Sequence, residues 1–326
     1  MSHIFCSFLL CVLRGFAADN SRKAAKNAKK NKIPARPSRY RTQMMIKTTE
    51  YQNLPNCLEI SNGEARLIVS TDVGPRILFY GFDGGENVLG WHPEAEVNTA
   101  LGKWKPYGGH RLWRAPENMP LSYAPDNNPV EFTEEGDLSV RLVPPLEAAT
   151  HLQKEITVML APSGTAVTID HKITNHGGAE IDIAAWSLTI MRSGGEVVIP
   201  NEPFKPYSPE TLLPVRSMAL WSYTDFTDPR WKFEKEQIRL RVDENINTQQ
   251  KIGVLNRQGW AGYEWKDLSF IKRFDFVENA AYPDMNSNME VYTDGGFVEI
   301  ETLSPLKKLS PGDAVEHTEK WELSKT

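Results

Sequence analysis

The 326-residue sequence is poor in cysteine, with three, and two of these, Cys6 and Cys11, fall in a short apolar stretch near its start. The remainder keeps only Cys57, which excludes an internal disulfide framework there, and its place beside Leu58 and Ile60 in an apolar alternation reads as core packing. No apolar run is long enough to span a bilayer as a helix; the run IFCSFLLCVL at 4–13 falls well short. Positive charge is not in excess: 37 Lys and Arg face 42 Asp and Glu, a net charge of -5, and this argues against a nucleic-acid partner. Also missing are the GxSxG elbow, the GxxxxGK[ST] loop and the GxGxxG fingerprint, so serine-hydrolase, phosphate-loop and dinucleotide-binding readings fall away. No HxH, HExxH or CxxC spacing occurs, and no metal or other cofactor is expected.

Helical spacing is nearly absent as well, and short alternating runs take its place. ARLIVS at 65–70, RILFYGF at 76–82, LQKEITVML at 152–160, AVTIDHKITN at 166–175 and FVEIET at 297–302 have the period of two that a half-buried strand requires. Between such runs stand Asn62-Gly63, Asp83-Gly84-Gly85, His176-Gly177-Gly178 and Asp294-Gly295-Gly296, residues that tolerate positive φ and so predict antiparallel hairpins. The expected fold class is all-β, a large antiparallel sandwich in one domain over residues 45–324. Residues 1–44 read as an apolar leader followed by a disordered basic tail, SRKAAKNAKKNKIPARPSRYR at 21–41. The leader is either a signal peptide, implying a periplasmic or secreted protein, or an over-extended start ahead of Met44 or Met45, implying a cytoplasmic one.

Two long Pro-rich connections, around 104–129 and 201–229, carry the aromatic and charged residues that suit sugars. The first holds Trp104, Arg111, Trp113 and Glu117, and the second Trp221, Tyr223 and Asp225. Rings stack on the CH faces of a pyranose, while Arg and carboxylates bond its hydroxyls; the same rings could instead plug the ends of the sandwich.

The stretch NGEARLIVSTDVGPRILFYGFDGGENVLG at 62–90 resembles the opening hairpins of the galactose mutarotase-like superfamily. VGPRI at 73–77, YGGHRLWRAPE at 107–117, SYAPDNNPVE at 122–131 and YTDGGFVEIETLSP at 292–305 resemble more specifically an uncharacterised bacterial subgroup, the domain of unknown function DUF4380. The resemblance implies a β supersandwich with a sugar-sized cleft on a concave face, and in active members an aldose 1-epimerase reaction. By that resemblance Glu301 in EIETLSP is the general base and His110 in GGHRLW the general acid. Arg76 and Arg111 would hold hydroxyls or an acidic substituent, Trp113 or Trp186 would stack on the ring, and Arg273 and Asp275 would line the concave face. Alternation puts Glu299 on the same face as Glu301. One departure stands out: where mutarotases carry a second histidine in a mid-chain strand, this sequence has AAWSLTIM, with Trp186 and Thr189. The sequence therefore leaves three readings open: an aldose 1-epimerase-like isomerase, a non-catalytic carbohydrate-binding or accessory domain, and a lyase or hydrolase of acidic polysaccharides.

Overall fold

The structure, a computed structural model, describes residues 45–326, so the expected leader and basic tail lie outside the described residues. The strand runs named above all appear as strands, and the fold is all-β and antiparallel. Helical structure among the described residues amounts to two short turns, Pro209–Thr211 and Pro283–Asn286. None of it is long and apolar enough to cross a membrane. Two sheets, of eleven and ten strands, carry most of the chain.

In the ten-stranded sheet, Ser139–Val143, Leu152–Leu160 and Val167–Asn175 obey strict alternation and bury every second residue. One side chain points into the sandwich and the next into water, as the pleat dictates. Its inward residues, among them Ile156, Ile169, Leu240 and Phe270, join Leu67, Ile77, Ala185 and Ile300 of the other sheet in one apolar core. Burying a side chain such as Ile169 contributes about 1.5–3 kcal/mol.

The eleven-stranded sheet behaves differently at its centre. Arg76–Phe82, His110–Ala115, Ile181–Met191 and Val298–Leu303 are buried on nearly every residue, on both faces. One face meets the apolar core; the other is covered by the long loops expected to carry binding groups. Cys57 is buried, as its alternation implied, and burial pushes its thiol up to about 11, which makes it a packing residue rather than a nucleophile.

Candidate functional site

Three rows of side chains cross the loop-covered face of the eleven-stranded sheet. Residues directly opposite on neighbouring strands share a face, so the register fixes the rows. Leu188 pairs with both Arg111 and Glu301, and Glu301 pairs in turn with Glu290. Ile190 opposes Glu299, which opposes Tyr292, which opposes Lys251. Trp113 opposes Trp186, and Trp186 opposes Leu303. Above these rows lies a cleft of about 500 Å³, walled by Trp104, Tyr123 and Tyr223 from the loops, within the size range of small-molecule sites.

Its chemistry centres on Glu301. Oε2 accepts from Trp186 Nε1 at 2.9 Å and from Lys251 Nζ at 3.1 Å, whereas the buried Oε1 has no partner among the described residues. Burial raises the Glu301 carboxyl above the ordinary carboxylate range and nearby Glu299 adds to this, while Lys251 holds it back. The Lys251 ammonium also lies 2.8 Å from Glu290 and sits 4.8 Å over the Trp186 ring and 4.7 Å over the Trp221 ring. Burial alone would lower its pKa, but the two carboxylates outweigh that and hold it well above the ordinary lysine value. Glu290, buried beneath, is pushed well up by burial.

Arg111 forms the second pole. Its Nη2 donates to Glu299 at 2.9 Å, and its guanidinium lies 4.7 Å over Trp113 and 5.3 Å over Trp104. Nε and Nη1 are buried without partners among the described residues, so two donor nitrogens at the cleft await oxygen acceptors.

Of the residues expected at the site, Glu301, Glu299, Arg111, Trp113 and Trp186 line this cleft together. The two indoles form its floor, 5.5 Å apart and nearly perpendicular, at 4% and 1% exposure. A ring face of each already carries a cation, so the free aromatic surface comes from the partly exposed Tyr123 and Tyr223 instead. Arg76 sits on the same sheet but is taken up by Asp126, bonded at 2.8 and 2.7 Å, and by the Lys105 carbonyl at 3.1 Å. It does not line the cleft. Arg273 and Asp275 are on the outer surface of the ten-stranded sheet, because Lys272 is the residue of that strand that points inward.

His110 requires the largest correction. Alternation along His110–Ala115 sends Arg111 and Trp113 to the cleft and His110 the other way, into the sandwich. There its Nε2 lies 2.7 Å from His171 Nε2 and its Nδ1 2.8 Å from Thr189 Oγ1. His171 Nδ1 faces the His317 carbonyl at 2.8 Å, which can only accept, so that nitrogen carries the proton. Neutral His171 then accepts from His110 Nε2–H, and His110 Nδ1 accepts from the Thr189 hydroxyl. Burial pulls all three imidazoles down, His317 to about 3.

The same interior holds Glu319, ion-paired with Lys272 at 2.9 Å and receiving Trp321 Nε1 at 2.8 Å and Thr302 Oγ1 at 2.5 Å, with Ser187 as a further donor. Burial would raise its carboxyl, but Lys272 and the imidazoles outweigh burial and hold it well below the usual range. His110, His171 and Glu319 bring potential ligand atoms within 4.8 Å of one another. Every one of those atoms is already engaged by a protein partner, so the network fits a sealed hydrogen-bonded core better than a metal centre.

Lys251, Glu290 and Tyr292 escaped sequence reading. They lie on short strands, Gln250–Val254 and Met289–Thr293; Glu290 and Tyr292 alternate in the second, but Gln250 and Lys251 stand side by side in the first. Their meeting with Glu301 depends on a register that no single strand reveals.

Neither a family model nor a curated protein matches the chain. Among solved structures, a TPR-domain containing protein from Parabacteroides distasonis aligns over 82% of this chain with a TM-score of 0.57 and 12% identity. This chain spans only 47% of that protein's length. A Salmonella typhimurium protein assigned as a mutarotase (YeaD) aligns over 86% of this chain and 94% of its own, with a TM-score of 0.55 and 12% identity. A galactose mutarotase-like protein from Lactobacillus casei aligns more loosely, with a TM-score of 0.49, 11% identity and coverage of 82% and 100%. At such identities the first two likenesses show the fold alone, and the second places this antiparallel β sandwich beside that of a protein assigned as a mutarotase.

Proposed function

We propose that this chain binds a sugar in the Arg111–Glu301 cleft and interconverts its anomers by acid–base catalysis. The observation that carries this reading is Glu301, which lines an aromatic-walled cleft and whose buried Oε1 has no partner among the described residues. Glu301 takes the proton of the anomeric hydroxyl, the bond between the anomeric carbon and the ring oxygen breaks, and the ring oxygen gains a proton. The open-chain aldehyde rotates and recloses on either face. Lys251, its ammonium paired with Glu290 at 2.8 Å, is the donor within reach, and it takes the proton back when the ring recloses. Arg111 Nε and Nη1 hold hydroxyl oxygens. The fold likeness to a protein assigned as a mutarotase agrees with this reading.

A second reading is favoured by one specific observation: no histidine lines the cleft among the described residues. In that reading the same cleft binds sugar without turning it over. NMR exchange between the anomers of a hexose separates the two. The catalytic reading expects acceleration by the wild-type chain, lost by about 10²-fold or more in Glu301→Gln, the scale of a general acid–base contribution. Binding without acceleration would leave the cleft as a lectin-like site; full activity in Glu301→Gln would remove the base assignment.

A further inference from the structure

Among the described residues, the cleft holds more negative charge than its own cations can match. Glu96, Glu117, Asp294, Glu299 and Glu301 line it, and Glu290 lies beneath. Against these stand Arg111, already matched by Glu299, and Lys251, shared by Glu290 and Glu301. Glu96 finds Lys103 at 2.9 Å. Glu117 has no ion-pair partner among the described residues; its carboxylate takes the Tyr123 hydroxyl at 2.5 Å and lies close enough to Lys251 and Glu301 to act on both. Asp294 bonds only the Gly296 backbone N–H, at 3.2 Å. An acidic cluster alone would say nothing about a ligand, but the same cleft is lined by Arg111, whose side chain is 3% exposed and whose Nε and Nη1 have no partner among the described residues, and by Glu301, whose buried Oε1 has none either.

We infer that the cleft selects a sugar bearing a free amine, whose ammonium offsets the surplus of Glu117 and Asp294, over neutral sugars and above all over phosphorylated or carboxylated ones. This rests on the sugar-binding reading above and narrows its substrate class. A cation entering a partly desolvated cleft with surplus negative charge gains Coulomb attraction, whereas an anion adds repulsion to the cost of leaving water. The free N–H groups of Arg111 do not reverse this, since hydroxyl oxygens satisfy them and Glu299 already neutralises the guanidinium. The same surplus weighs against the polyanionic polysaccharides that the sequence left open as substrates.

Calorimetric titration of the full chain with glucosamine, glucose, N-acetylglucosamine and glucose 6-phosphate tests the inference. Acetylation removes the ammonium charge, so it isolates the charge from the presence of nitrogen. Glucosamine is expected to bind about tenfold tighter than glucose or N-acetylglucosamine at low salt, with the preference shrinking as salt rises and glucose 6-phosphate weakest. The Glu117→Gln/Asp294→Asn double variant should bring the glucosamine-to-glucose affinity ratio close to one. Glucose binding with no glucosamine preference, or a preference that survives the double variant, would overturn the inference and leave the sugar cleft standing. Failure of all four sugars to bind would overturn the cleft as a sugar site and this inference with it.

Discussion

Lys251, Glu290 and Glu301 come from three neighbouring strands and share charge that none could hold alone at 4% exposure or less. Replacing Lys251 with Met leaves two buried carboxyls without their cation. It should lower stability by about 3–5 kcal/mol, the cost of breaking a buried pair by removing one partner, read from urea unfolding midpoints. Lys251→Arg should lose much less, because the charge is kept. Part of this site was legible from residues alone: Glu299 and Glu301 had to share a face, and the aromatic-rich loops around Trp104 and Tyr223 do cover it. Lys251 and Glu290 were not legible, since a lysine in QKIGV or a glutamate in MEVYT looks like any solvated charge until the register brings the strands together. His110 misled for the opposite reason. Its motif pointed to the cleft, but the two-residue period of its own strand places it and Arg111 on opposite faces.

Within the strands, Ile181–Met191 serves two sites at once. Trp186 and Leu188 floor the cleft, while Ser187 and Thr189 bond Glu319 and His110 in the interior. Burial of almost every residue of this strand shows a sheet covered on both faces. Its run AAWSLTIM is apolar almost throughout, and nothing in it distinguishes core from cleft. The entry to the adjacent strand is set by Gly109, which has φ 68°; a Cβ there would stand 2.0 Å from the Ile77 carbonyl oxygen. Its N–H donates to Gly90 O at 2.9 Å, and its carbonyl receives Ile190 N–H at 2.8 Å, so three segments close on this residue. The GGH step that resembles a catalytic segment is thus explained by close backbone approach. Gly109→Ala should cost at least about 1–3 kcal/mol and weaken sugar binding by displacing Arg111, checked by thermal unfolding and titration on the same sample.

For the whole molecule, the network sealed between the sheets sets the response to pH. His110, His171 and His317 titrate below the ordinary imidazole value of 6.5 in the folded state. Below that pH the unfolded chain binds more protons, so stability rises with pH up to about 6.5, by about 1.4 kcal/mol per pH unit for each imidazole still neutral. Glu319, depressed below 4.5, stabilises above that value, and its contribution disappears as pH falls through its folded pKa. Glu290 and Glu301, raised by burial, act in the opposite sense, losing stabilisation as pH rises above about 4.5. Between about pH 5 and 6.5 the imidazoles raise stability with pH and the two carboxyls lower it, so urea midpoints of a Glu290→Gln variant should climb more steeply across that range than those of the wild-type chain; an equal slope would mean that Glu290 titrates as an ordinary carboxyl. The architecture itself was legible, because alternation and turn residues act locally, whereas the network joins strands as distant in sequence as His110 and Glu319 and appears only once both sheets are closed.

The account stands most directly on where the sugar sits. A crystal structure of the chain with a bound hexose should show the anomeric hydroxyl within hydrogen-bond reach of Glu301 Oε1 and other hydroxyls on Arg111 Nε and Nη1. A sugar bound elsewhere, with Glu301 Oε1 and Arg111 still unpartnered, would contradict it.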